Sequence, residues 1–191
     1  MAIVSIKNKT KSGSLLVGND KYIPPSFESI ATASGTGSSG TITFSSLGSD
    51  YKHLQLRILG IATTNSGAAG LIRFNGDTGA NYAYHILDGY ASTVTSGGVA
   101  NNTEILYIYN NEGMHNVYAN VTIIDILDAF STTKNKTIRA INGMDRNTGG
   151  EITVLSGLWR STAALSSITL SLNDGSYATT TRAALYGIKE A

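Results

Sequence analysis

His53-Leu54-Gln55-Leu56-Arg57-Ile58-Leu59-Gly60-Ile61 alternates apolar and polar side chains. On an extended strand, residues two apart share a face. Leu54, Leu56 and Ile58 therefore line one side, with Gln55 and Arg57 opposite. Similar runs recur along the chain: Phe27 to Ala33, Thr41 to Phe44, Leu71 to Phe74, Tyr82 to Leu87, Glu104 to Tyr109, Lys136 to Ile141, Ile152 to Trp159, Ile168 to Leu172 and Ala183 to Ile188. Val117 to Leu127 is the most apolar and reads as a central strand. Clusters of Gly, Ser, Thr and Asn separate the runs. β-Branched residues, which fit a pleated surface better than a helix, dominate them. Asp128 to Thr133 and Ser161 to Leu165 are the only stretches read as single helical turns.

The expectation is an all-β, jelly-roll-like antiparallel β-sandwich over residues 26–191, preceded by an N-terminal arm over 1–25. The boundary falls at Tyr22-Ile23-Pro24-Pro25. No fixed-period repeat and no linker divides the body. Apolar content of 41% in 191 residues supplies a core for one medium domain.

Charge is sparse, at 14% of residues, and uneven. Residues 1–21 carry Lys7, Lys9, Lys11 and Lys21 against Asp20, a net +3, and the remainder carries −2. Such an arm suits an acidic groove on a partner. Ile3 and Ile6 form one short apolar cluster and Leu15 and Leu16 another. Each is able to add a strand to a neighbouring sheet edge, with Tyr22 closing the arm. The arm is therefore expected to dock on a protein. Lysines without interleaved aromatics do not point to nucleic acid. No apolar run is long enough to cross a bilayer, and no membrane partner is expected. Cysteine is absent, which removes disulfides, thiolate metal sites and a Cys nucleophile.

The motifs that bear on chemistry have plainer readings. Phe74-Asn75-Gly76-Asp77-Thr78-Gly79-Ala80-Asn81 gathers oxygen ligands. It lacks the spacing and terminal Glu of a calcium loop, and Asn-Gly is what a tight turn requires. Asp125 and Asp128 are close in sequence, but on a strand residues three apart point to opposite faces. Asp125 is expected to accept hydrogen bonds or pair with an Arg, and Asp128 to start a turn or a helix. His53, His85 and His115 share no ligand spacing and no Gly-x-Ser-x-Gly elbow accompanies them. No catalytic residue, metal or cofactor is expected. Trp159 offers three readings: a core plug, a subunit contact or a sugar platform. Tyr82, Tyr84, Tyr107 and Tyr109 suit cross-strand packing as well as glycan stacking.

Several stretches together resemble a known family. They are Ser5-Ile6-Lys7-Asn8-Lys9 with Ser12-Gly13-Ser14-Leu15-Leu16-Val17-Gly18-Asn19, Ile42-Thr43-Phe44-Ser45-Ser46-Leu47 and Tyr51-Lys52-His53-Leu54-Gln55-Leu56-Arg57. Later come Ile72-Arg73-Phe74-Asn75-Gly76-Asp77-Thr78-Gly79-Ala80-Asn81-Tyr82, Ile124-Asp125-Ile126-Leu127-Asp128, Lys134-Asn135-Lys136-Thr137, Ser156-Gly157-Leu158-Trp159 and Ala184-Leu185-Tyr186-Gly187-Ile188-Lys189. This set resembles tailed-bacteriophage virion proteins with a C-terminal β-sandwich module: capsid decoration proteins, head fibres and tail-fibre tips. The resemblance implies a non-enzymatic structural role on the particle surface after assembly in the host cytoplasm. It implies a homotrimer or other homo-oligomer, held to a major capsid protein or to a tail or baseplate protein. It brings no catalytic residues. The lead expectation is a capsid decoration (cement) protein clamped by its arm. The alternative is a tail or baseplate appendage that binds a host glycan through Asp88 to Asn102 and Asp145 to Gly150.

Overall fold

The alternating runs fold as strands, and no helix forms among the described residues. The computed structural model describes residues 26–108, 113–147 and 149–189, with the backbone of 16–17 and 20–21. In chain order the strands are β1 (Leu16–Val17), β2 (Asp20–Lys21), β3 (Phe27–Ser34), β4 (Thr41–Ser45), β5 (His53–Gly60), β6 (Gly70–Phe74) and β7 (Tyr82–Tyr90). There follow β8 (Thr93–Asn102), β9 (Ile105–Ile108), β10 (Asn120–Leu127), β11 (Lys136–Asp145), β12 (Gly150–Trp159), β13 (Ser167–Leu172) and β14 (Arg182–Ile188).

Two unequal antiparallel sheets make a β-sandwich. The large sheet has eight strands in the order β3-β14-β5-β10-β11-β12-β7-β8, and the small one four, β4-β13-β6-β9. From β3 to β7 each successive strand crosses to the other sheet. Such crossings place sequence-distant strands side by side and close a core between two layers. β1 and β2 form a separate two-residue ladder, pairing Leu16 with Lys21 and Val17 with Asp20.

The alternation expected in β5 is observed: Leu54, Leu56 and Ile58 are buried, and Arg57 faces out. They join one core cluster with Ile42 and Phe44 of β4, Ile72 and Phe74 of β6, and Ile168 and Leu170 of β13. Gly157 of β12 lets the sheets close, since a Cβ there would lie 2.8 Å from Ile138 and 3.0 Å from Ile105. Where the small sheet ends, its edge strand β9 packs against β7, β11 and β12. There the core turns polar: Thr122, Asn142, Thr153 and Asp88 stand in one cross-strand row on β10, β11, β12 and β7, all buried. Thr153 donates to Asp88 Oδ1 at 2.7 Å, and Asn142 donates to the Tyr107 carbonyl of β9 at 2.7 Å.

Three segments differ from the sequence expectation. Thr93–Asn102, read as part of a loop, is a ten-residue strand at the edge of the large sheet. Its Thr, Ser and Gly content carries no apolar alternation, and ladder bonds to β7 set its conformation. Asp128 opens a β-turn rather than a helical turn. It sits at φ 48°, with the Ser131 N–H bonded to its carbonyl at 3.0 Å. Lys136, buried at the start of β11, donates to the Ser131 and Lys134 carbonyls and closes this turn; burial holds its amine below the usual lysine range. Ser161 to Leu165 is irregular and holds no helical turn.

Asn75 and Gly76 both take positive φ, and the Asp77 N–H returns to the Phe74 carbonyl at 2.9 Å, a tight turn of the primed kind. This turn aims Asp77 inward. Its Oδ2 accepts from the Trp159 indole N–H at 2.7 Å and from Asn81 at 3.0 Å. Those donors, the indole first, lower the Asp77 pKa from 3.8. A carboxyl depressed in the folded state adds stability above its ordinary pKa, and loses it as pH falls through the folded value. Asp77→Ala should therefore cost about 1–3 kcal/mol at neutral pH by orphaning the indole N–H. The variant should also have a flatter acid limb than the parent. Urea unfolding followed from pH 7 down to acid checks both.

Candidate interaction surface

The sequence singled out two places, the arm and Trp159. Ile3, Ile6, Lys7, Lys9, Lys11, Leu15 and Tyr22 lie outside the described residues. Of the arm, only the β1–β2 backbone ladder is described, and it includes the backbone of Leu16. Trp159 is 2% exposed and packs among Phe74 and Tyr82, at ring separations of 5.6 and 6.3 Å. It is the core plug; the subunit-contact and sugar-platform readings are corrected, because the ring has no free face. Tyr82 and Tyr107 are buried likewise. The Tyr107 hydroxyl lies 3.2 Å from that of Tyr177, and burial raises the Tyr107 pKa to about 12.

The surface that stands out is the outer face of the large sheet. Leu59 of β5, Val121 of β10, Ile141 of β11, Ile152 and Val154 of β12, Leu87 of β7 and Val94 of β8 point to solvent, each between 44% and 72% exposed. Register brings them together. One cross-strand row runs Leu59–Val121–Gly143–Ile152–Gly89–Val94, and the next runs Arg57–Ile123–Ile141–Val154–Leu87–Ser96. Strands about 4.8 Å apart make this a continuous aliphatic band.

A polar row borders the band. Gln55 Nε2 donates to Asp125 Oδ1 at 2.8 Å, Arg139 donates to Asp125 Oδ2 at 3.0 Å, and Arg57 Nε donates to Gln55 Oε1 at 2.9 Å. Asp125 thus pairs with an arginine, as its place in an apolar run suggested. Its neighbours are a glutamine and an arginine, with Asp128 committed to Lys134 at 2.7 Å. Beyond β5, Phe27 stacks on Tyr186 at 4.9 Å, and the Arg57 guanidinium lies 5.5 and 5.3 Å from the two rings. His53 accepts the Asp128 N–H, His85 sits exposed on this outer face, and His115 is buried. No group of three His, Asp or Glu side chains fit to hold a metal occurs among the described residues.

Two shallow depressions flank the band. One, about 380 Å³, lies among Ala33, Arg57, Arg182 and Ala184. The other, about 420 Å³, lies where the β7–β8 turn meets the β11–β12 turn, among Ala91, Asp145, Asn147 and Glu151. The second includes the expected Asp145 to Gly150 loop, where Asp145 Oδ1 accepts the Asn147 N–H at 2.8 Å. The other expected loop, Asp88 to Asn102, is the end of β7, a turn at Ala91 and Ser92, and β8.

Comparison with family models, with curated proteins and with solved structures gave no match.

The sequence reading missed the aliphatic band, although its signal was in the sequence. Val121-Thr122-Ile123-Ile124-Asp125-Ile126-Leu127 is apolar at both parities; it reads as a central strand, which β10 is, and the exposure of one parity is not part of that reading. The inner parity is indeed buried, while Val121 and Leu127 of the other are 54% and 48% exposed.

The Asp125–Arg139 pair, with the arginine side chain 75% exposed, is a surface pair. Asp125→Ala should change stability by less than about 1 kcal/mol. Urea unfolding of the variant beside the parent checks this, and a larger loss would mark the row as structural.

Proposed function

We propose that this chain is a non-enzymatic structural protein of a tailed-bacteriophage particle, most simply a capsid decoration protein clamped to the shell by its N-terminal arm. The observation that carries the reading is the aliphatic band on the outer face of the large sheet. A lone soluble domain seldom exposes so many aliphatic side chains on one flat face. Repeated assembly gives such a face something to cover. The strand order supports the same reading. With β7, β8, β11 and β12 set aside, the sheets are β3-β14-β5-β10 and β4-β13-β6-β9, which we read as a jelly roll widened by two hairpins. The lysines of the arm, Lys7, Lys9 and Lys11, supply charge for an acidic groove on a major capsid protein. In this reading the chain assembles in the host cytoplasm, ends on the particle surface, and has neither nucleic acid nor membrane as partner. Symmetric repetition multiplies each modest contact.

The second reading, a tail or baseplate appendage that binds a host glycan, draws on the polar depression beside Asp145, Asn147 and Glu151. Copy number separates the two. Quantitative mass spectrometry against the major capsid protein should give hundreds of copies per particle for a decoration protein. A count between about six and a few dozen, the order of a symmetric tail ring, would move the chain to the tail.

The arm has its own test. The core cluster begins at Ile42, with Ile30, Ala31 and Ala33 packed on it. Removing residues 1–21 should therefore leave the body folded and abolish incorporation into particles. Circular dichroism with a particle-binding assay reads the two effects, and normal incorporation of the deletion would sink the arm's role.

A further inference from the structure

We propose that the aliphatic outer face of the large sheet packs against the same face of a second copy of this chain. Three observations lead there. The first is area. Leu59, Val121, Ile141, Ile152, Val154 and Leu87 are each 44–55% exposed. With Val94 they present on the order of 600 Å² of apolar surface, the upper end of what a monomer leaves bare. Two such faces together supply roughly 1,200 Å², the lower bound of a stable interface before any rim contact is added.

The second observation is charge. Across β10, β11, β12 and β7 the charged side chains of this face are Asp125 and Arg139, which neutralise each other at 3.0 Å, and Asp145 at the far end of β11, outside the band's centre. A strongly acidic or basic partner finds nothing complementary in the centre of the band. A neutral aliphatic face is matched by another of the same kind, and a two-fold axis presents that match without a second evolved surface.

The third is shape. The band lies on a sheet whose register is regular from β5 to β12 and on to β7. Val121, Ile141, Ile152 and Val154 are β-branched at Val and Ile, with stiff χ1 angles and little entropy to lose on burial. Sheet faces of this kind stack about 10 Å apart with interleaved side chains. From β14 through β5, β10, β11 and β12 to β7 the inner face of the same sheet is already filled, so there the outer face is the side left for a partner.

The inference stands apart from the particle reading, because it is tested on the purified full-length chain. Light scattering at about 10 µM, above the micromolar dissociation constants of the weaker standard-size interfaces, should give about 40 kDa, twice the 20.0 kDa chain. The double substitution Ile141→Lys/Val154→Lys should weaken association at least about 100-fold and give the mass of one chain. Thr43→Lys, on the outer face of the small sheet, should leave the dimer intact. Circular dichroism reports folding of each variant. If the lysine pair does not fold, Ile141→Thr/Val154→Thr keeps β-branched side chains in the strands and serves instead. A parent that is monomeric at this concentration overturns the proposal and leaves the face to the arm or to another protein. An oligomer whose mass the folded variants do not change overturns it too. A dimer that never enters particles leaves this inference standing and defeats the particle reading alone.

Discussion

An eight-stranded sheet backed by a four-stranded one has more face than its partner can cover, and most features of this molecule answer that mismatch. Over β3, β14, β5 and β10 the small sheet supplies the second layer, and the core is ordinary aliphatic and aromatic packing. Beyond β10 the edge strand β9 must do so alone. Bringing it close demands Gly157, where any side chain would collide with Ile138 and Ile105. It also demands partners for the polar backbone at a sheet margin, which Asn142 provides through the Tyr107 carbonyl.

The polar row of Thr122, Asn142, Thr153 and Asp88 follows from the same geometry. A broad inner face with a narrow cover leaves a zone where aliphatic side chains would lack neighbours. Short hydrogen-bonding residues fill it with directional contacts instead. Buried polar groups are costly unless paired; the bonds from Thr153 to Asp88 at 2.7 Å and from Thr122 to Asn120 at 2.9 Å supply partners, while Asn142 Oδ1 finds none among the described residues. Such rows tie strand register to hydrogen-bond partners, so a slip by one residue loses both the apolar and the polar match. The aromatic end of the core is fixed by the same means, with Asp77 holding the indole of Trp159 from a tight turn.

How much of this was legible in the sequence depends on which force sets each segment. β5, β10 and β14 were read within a residue or a few of their bounds, because burial on one face imposes period-two alternation. β8 was not legible. All but one of its residues are exposed, so no burial pattern is written into Thr93–Asn102, and the ladder to β7 alone makes it a strand. Trp159 was legible as a core residue but not as one anchored by Asp77, since the two are 82 positions apart and meet only through the fold. The outer band went unread for a physical reason. A strand apolar at both parities is the pattern of a strand covered on both faces, and one chain alone supplies a single cover.

That ambiguity bears on function. A sequence encodes the surroundings its side chains meet in the working state, including any that other molecules provide. Val121, Ile141 and Val154 carry the composition of a buried surface while standing 54%, 46% and 44% exposed in the isolated chain. Polar substitutes such as Thr keep β-propensity equally well, so strand formation does not require aliphatic residues there. Solubility favours the polar choice. The aliphatic choice on four adjacent strands, against both considerations, is the mark of a face that is covered when the protein does its work.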